Sequence, residues 1–406
     1  SNKIKWDSNQ NKTTSTFLNG IAEYAGMQSG HLYNTGDNNF KSTFINGEFE
    51  IDEDINLEDK IRTANVTPAV VTNDPFNGIK MESELVTINA GKNITGDVKY
   101  LAGQGLNMAN SLYRWDDVLD LNSWRKTNEQ ESGYINEGTI NVWGGTAKNN
   151  YLGSGEERIT GINVAYGTIN NKDTGTVTVD HGYGIVGTDG SILNNEGNIT
   201  VTGKYTNNGA PLSALRVANR YSVETKESGE NYGIVGLSTN NVGYGNNKID
   251  ITDKATAAVG IITVDGDFAR GIYAKNVNNA AKTNVTVTYD NSSAASPDAI
   301  KVNATNSNKT SKGVGIAIDS YANSGTTAGG ILKLKTQNTK TTADILTSYN
   351  GIGIHAKASN ILFDPDSTGI TIETKNDGVG IWLTDDSNVG EETDKHLKSL
   401  NYEINL

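Results

Sequence analysis

Apolar residues in this chain fall mainly in short runs that alternate with polar ones, the period of a half-buried β-strand, and one such run recurs. Gly182-Tyr183-Gly184-Ile185-Val186-Gly187 is followed by Asn231-Tyr232-Gly233-Ile234-Val235-Gly236, Ala269-Arg270-Gly271-Ile272-Tyr273-Ala274 and Gly313-Val314-Gly315-Ile316-Ala317-Ile318. Gly351-Ile352-Gly353-Ile354-His355-Ala356 and Gly378-Val379-Gly380-Ile381-Trp382-Leu383 continue the series, and Gly161-Ile162-Asn163-Val164 is a shorter relative. With side chains alternating between faces, the Ile and the small or apolar residue two positions later point inward. The intervening column, Val186, Val235, Tyr273, Ala317, His355 and Trp382, points outward and is free to vary.

A second strand reads apolar–polar–apolar at Val177-Thr178-Val179, Ile199-Thr200-Val201, Ile249-Asp250-Ile251, Val285-Thr286-Val287, Leu332-Lys333-Leu334 and Ile370-Thr371-Ile372. Its first apolar residue lies 14 to 17 positions after the motif Gly, from 271 to 285 at the shortest and from 315 to 332 at the longest. The return to the next motif varies far more, from 7 (177 to 184) to 34 (199 to 233), so insertions concentrate on one side. Ala214-Leu215-Arg216-Val217, Ile261-Ile262-Thr263-Val264 and Ala299-Ile300-Lys301-Val302 are further strand candidates inside the long returns.

A repeat that buries its face only against neighbouring copies is the mark of a solenoid. The pattern predicts an all-β, right-handed, single-stranded parallel β-helix with loop insertions. Ten to fourteen coils stacked about 4.8 Å apart would form a rod on the order of 50 to 65 Å long. Residues 133–406 carry the regular coils. Residues 1–132 are expected to form a less regular β-helix segment, with strands near Gly47–Ile51, Ile55–Leu57 and Val86–Ile88 and one short helix near 111–125, where Leu112, Trp115, Val118 and Leu119 approach helical spacing. Asn pairs such as Asn194-Asn195, Asn240-Asn241 and Asn278-Asn279 are expected to stack as turns and to form amide ladders between coils.

Composition agrees with this architecture: 45 Gly against 5 Pro, and only 35% hydrophobic residues, suit short strands joined by many turns. The formal charge of −13 argues against nucleic acid, whose phosphates require clustered Lys and Arg. The chain has no Cys, hence no disulfide or thiolate chemistry, which fits the cytosol and also fits surface proteins exported unfolded. No run approaches the roughly 20 apolar residues of a membrane-spanning helix. Ser1-Asn2 and the strand pattern interrupted at Ile404-Asn405-Leu406 suggest a piece of something longer, so any leader or anchor is expected outside it.

The coil unit, Gly-x-Gly-Ile, an Asn-rich turn, then a strand such as Gly197-Asn198-Ile199-Thr200-Val201, resembles the passenger repeats of large fusobacterial autotransporter adhesins over residues 133–406. The resemblance implies type V secretion and display at the bacterial cell surface on an outer-membrane β-barrel that this chain lacks. It also implies adhesion to a protein or glycan on another bacterium or host cell, without catalysis. It transfers no ligand residue. A monomer is expected, with no cofactor and no metal.

β-Helices also serve polysaccharide lyases and glycoside hydrolases, and a rod of this kind could be a spacer for a distal binding tip. Fold alone does not decide between these. Hydrolysis needs converging carboxylates, for which Asp385-Asp386, Asp364 with Asp366, and Asp180 beside His181 are the candidates; solvated turn acids are the competing reading of each. His31, His181, His355 and His396 are too scattered for a metal motif, and the acidic run Glu48, Glu50, Asp52, Glu53, Asp54, Glu58 and Asp59 has no calcium-loop spacing. Candidate ligand contacts are Arg270, Tyr273, His355 and Trp382, since exposed aromatics on a flat polar sheet are typical partner contacts. The insertions Lys204–Glu230 and Asp290–Lys312 are candidate binding loops.

Overall fold

The computed structural model describes residues 4–5, 43–51, 54–56, 79–97, 104–107, 133–143, 159–165, 167–180, 182–188, 190–202, 215–217, 221–223, 231–238, 248–256, 258–266, 269–276, 285–293, 299–303, 313–320, 329–337, 342–348, 350–375, 378–385, 387–391 and 403–405. They form a parallel β-helix solenoid, and among them there is no helix. The predicted helix near 111–125 and the pairs Asn240-Asn241 and Asn278-Asn279 lie outside the described residues.

Each regular coil contributes one strand to each of three parallel sheets. In one coil these are Ile159–Ala165, Thr168–Asn171 and Thr176–Asp180, and the next coil repeats them as Gly182–Thr188, Ile192–Asn195 and Asn198–Thr202. The first sheet carries the Gly-x-Gly-Ile motif. Its strands pair in register so that Ile162, Ile185, Ile234, Ile272, Ile316, Ile354 and Ile381 form one inward column. The second sheet contributes Tyr134, Ile169, Leu193, Ile251, Val287, Leu332, Ile361 and Val389. The third, ten-stranded, sheet contributes Ile94, Ile140, Val177, Ile199, Ile262, Ile300, Ile345 and Ile372. Strand Ile79–Ile88 spans a corner, pairing at one end with the first sheet and at the other with the second. Like side chains stacked on like leave few voids, and most of these columns are fully buried, which is how a chain of modest apolar content builds a continuous core.

The apolar–polar–apolar strands of the sequence divide between two sheets. Val177, Ile199 and Ile370 belong to the third, whereas Ile249, Val285 and Leu332 belong to the second. The near-constant spacing therefore does not mark one strand position. The short coils also have a second-sheet strand, Thr168–Asn171 or Ile192–Asn195, whose buried Asn residues make it read as a turn. Ile262–Asp265 and Ile300–Asn303 are third-sheet strands, while Leu215–Val217 pairs with Tyr221–Val223 as an antiparallel hairpin outside the coil.

The second Gly of the motif is a packing requirement. The register of the first sheet skips Gly184, Gly233, Gly271, Gly315 and Gly353. A Cβ on Gly184 would lie 2.5 Å from Ile199 Cγ2 and 2.6 Å from the carbonyl oxygen of Gly233; on Gly315 the distances are 2.2 Å to Ile345 Cγ2 and 2.6 Å to the oxygen of Gly353. Each motif thus turns two successive residues, Gly and Ile, toward the interior, which breaks the period of two in every strand alike.

Candidate functional site

That break in alternation decides which residues share the outer face of the first sheet. Strict alternation places Arg270 and Tyr273, three positions apart, on opposite faces. With Gly271 and Ile272 both directed inward, Arg270 and Tyr273 emerge together: the Arg270 Cζ sits 4.3 Å from the Tyr273 ring centre and 5.5 Å from that of Tyr232. Tyr183, Tyr232 and Tyr273 follow one another up the stack with ring centres 5.4 Å apart at each step. This face therefore bears two outward columns, one through Tyr183, Tyr232, Arg270, Val314, Ile352 and Val379, the other through Val186, Val235, Tyr273, Ala317, His355 and Trp382.

The outward column is not free along its length. Val186, Val235, Tyr273 and Ala317 are buried, Tyr273 to 1% exposure, and Arg270 is half-buried. Exposure begins two coils later. His355 is half-buried, and Trp382 and Val379 are 44% and 43% exposed. The His355 and Trp382 rings stack with centres 4.9 Å apart and planes 25° from parallel, and the His355 Nε2 lies 3.5 Å from the Thr384 hydroxyl. Of the four sequence candidates, then, Arg270 and Tyr273 form a packed cation–π pair in a closed region, and His355 and Trp382 form a stacked pair at an open one.

Beside the aromatic columns runs a string of alternating charge: Lys275 to Asp319 at 3.5 Å, Asp319 to Lys357 at 3.8 Å, and Lys357 to Asp385 at 3.8 Å. Such pairs contribute little stability in water, but they leave the strip next to Trp382 without a dominant sign.

Of the carboxylates weighed as catalytic, Asp364, Asp366 and Asp385 occupy turns or corners. The Asp364 Oδ1 accepts the Asp366 amide at 2.9 Å and its carbonyl accepts the Ser367 amide, an Asx turn. Asp385 sits at a corner with φ 52°. Asp180 ends a third-sheet strand, while Asp386, His31, His181 and His396 lie outside the described residues. Of the acidic run, Asp54 is exposed and its Oδ1 accepts both the amide and the side-chain Nδ2 of Asn93 at 2.9 Å. Among the described residues no three His, Asp or Glu side chains gather as a metal site, and no helix is long and apolar enough to cross a membrane.

A polar cluster lies inside the coil, unforeseen in its details. The Asn136 Nδ2 donates to Asn171 Oδ1 at 2.8 Å, Asn171 to Asn195 at 2.7 Å, and Asn195 to Asp253 Oδ1 at 2.7 Å, all four residues being buried. One coil further on, the Tyr289 hydroxyl donates to the Asp344 carbonyl at 2.8 Å, and Asn291 Nδ2 donates to Asp344 Oδ1 at 2.7 Å. Asn194, on the outer side, donates to Asn170 at 2.8 Å. Alternation within Ile249-Asp250-Ile251-Thr252-Asp253 does put Asp253 on the Ile face, so its inward position was readable; its partners come from other coils and were not. No protein-family model, curated protein or solved structure matches this chain.

Proposed function

We propose that this chain is a segment of a surface-displayed adhesive rod, in which stacked coils hold a contact patch centred on Trp382 and His355 away from the cell for a protein or glycan on a neighbouring bacterium or host cell. The observation that carries the reading is the contrast along the column of Val186, Val235, Tyr273, Ala317, His355 and Trp382: it is buried up to Ala317, half-buried at His355 and open to solvent at Trp382, beside an exposed Val379. A half-exposed Trp already stacked on His355 loses little rotamer freedom when a partner covers it, which is what makes such residues strong contacts. The resemblance of the coil unit to autotransporter passenger repeats supports the placement at the bacterial surface, and the absence of Cys is compatible with export in an unfolded state.

The test is cell binding by displayed protein carrying Trp382→Ala and His355→Ala. Binding is expected to fall at least tenfold for the double variant, the scale of a loss of about 1.4 kcal/mol, with the far-UV circular dichroism of the purified segment unchanged. Binding equal to that of the unaltered protein would make the segment a spacer.

A further inference from the structure

We propose that the buried amide ladder ending on Asp253 is a proton-operated latch: with Asp253 neutral, strand Ile249–Lys254 closes on Val285–Asn291, and loss of the proton loosens that contact.

The geometry sets Asp253 apart from the other members of the ladder. In the second sheet Asp253 lies in register with Asn195 on the preceding coil and Tyr289 on the following one. An amide presents both a donor and an acceptor, so Asn136, Asn171 and Asn195 pass hydrogen bonds along the axis in one direction. An ionised carboxyl is an acceptor only. The ladder therefore ends at Asp253, whose Oδ1 takes the Asn195 donor and whose Oδ2, fully buried, has no hydrogen-bond partner. A neutral carboxyl removes the buried charge, whereas a carboxylate keeps it with one oxygen unsolvated.

The surrounding groups favour the neutral form. On the following strand Tyr289 presents its hydroxyl, which is engaged with the Asp344 carbonyl and accepts the Asn291 amide at 3.2 Å. The Asp344 carboxylate accepts Asn291 Nδ2 and the Thr371 backbone amide. Asp290 is half-buried and carries an ion pair with Lys335 at 3.8 Å, and on Asp253's own strand Asp250 pairs with Lys248 at 2.9 Å. Lys254 is exposed. None of these cations pairs with Asp253, and the second buried carboxyl of the cluster belongs to Asp344. Burial pushes the Asp253 carboxyl up to about 7, against the opposing pull of the Asn195 hydrogen bond. The Tyr289 phenol is raised as well, first by burial and then by the Asp344 and Asp253 charges.

Because the folded chain holds this proton more tightly than the unfolded chain, the stability due to Asp253 is full below the ordinary carboxyl value of 3.8. It falls as pH rises toward about 7 and stays low above that. Asp253→Asn keeps the size of the side chain and an acceptor for Asn195 without a titrating group. Its thermal midpoint is expected to gain on that of the unaltered chain as pH rises from 3.8 to about 7, the gap holding steady above that. Amide exchange in the unaltered chain, corrected for its intrinsic pH dependence, is expected to accelerate as pH rises from 3.8 to about 7 in Ile249–Lys254 and Val285–Asn291 more than in the third sheet. Should Asp253→Asn fail to fold, the exchange measurement on the unaltered chain decides alone. A gap between the two proteins that does not change with pH, or exchange that accelerates equally in all three sheets, overturns the proposal.

Discussion

Replacing Gly315 by Ala tests how tightly the first and third sheets approach. The added Cβ would fall 2.2 Å from Ile345 Cγ2 and 2.6 Å from the Gly353 carbonyl oxygen, where non-bonded carbons prefer about 3.5 to 4.0 Å. More than 1 Å must be recovered by the Ile345 side chain and by the backbone of the next coil, which is fixed by the parallel ladder between Val314–Asp319 and Ile352–Lys357. Overpacking that side chains can absorb costs about 1 to 3 kcal/mol. The involvement of a carbonyl places Gly315→Ala at the upper end, and the stiffer unfolded chain of the Ala variant returns about 0.4 to 1 kcal/mol, for a net loss of about 2 kcal/mol. Urea unfolding followed by circular dichroism measures it. Ile345→Ala alone leaves a cavity and costs about 2 to 5 kcal/mol, but in the double variant the new methyl group occupies part of that space. The double-mutant cycle should therefore show a coupling of at least 1 kcal/mol in the favourable direction. Gly315→Ala within 0.5 kcal/mol of the unaltered chain, or strict additivity with Ile345→Ala, would refute the idea that this glycine exists to let the sheets meet.

Other consequences can be measured in the same way. Asn195→Leu strips Asn171 of its acceptor and Asp253 of its donor, so a loss of about 2 to 6 kcal/mol is expected from two unsatisfied buried groups. Asn194→Leu, on the outer side of the same strand, should cost under about 1 kcal/mol, and equal losses at the two sites would contradict the internal ladder. Ala358 holds a left-handed φ of 47°, which costs a non-glycine residue about 1 to 2 kcal/mol. Ala358→Gly should accordingly raise the thermal midpoint, and a lowered midpoint would show that the corner gains more from the methyl group than it loses in strain.

The fold was legible because its strongest signal is strictly repeated. The Ile of each motif lies inside at the same register position from Ile162 to Ile381, as alternation predicts. Three things were hidden, each for a physical reason. The strands Thr168–Asn171 and Ile192–Asn195 bury Asn side chains that are satisfied only by neighbouring coils, so in isolation they look like turns. Arg270 and Tyr273 both read as outward contacts, but the reason they can share a face was not legible: Gly271 is skipped in the register, which strict alternation does not supply. The burial of Val186, Val235, Tyr273 and Ala317 in the outer column is not encoded by local alternation, which assigns a residue to a face and not to solvent. Amide stacking was predictable in kind, and the Asn194 to Asn170 bond is of the expected sort, but the longer ladder runs inside the coil.

The inward column of the second sheet that begins at Ile88 and passes through Asn136, Asn171, Asn195 and Asp253 to Tyr289, Leu334 and Phe363 changes chemistry as it climbs. The Ile columns of the other two sheets are nearly uniform, so by themselves they would let one coil exchange places with another at little cost. The polar stretch removes that freedom, since an amide moved opposite Leu334 or Phe363 would be buried with nothing to bond. The polar coils and the apolar ones thereby carry different addresses along the axis. In a chain of interchangeable-looking repeats, that difference penalises slipped and swapped arrangements between them, to which repetitive β-structure is prone.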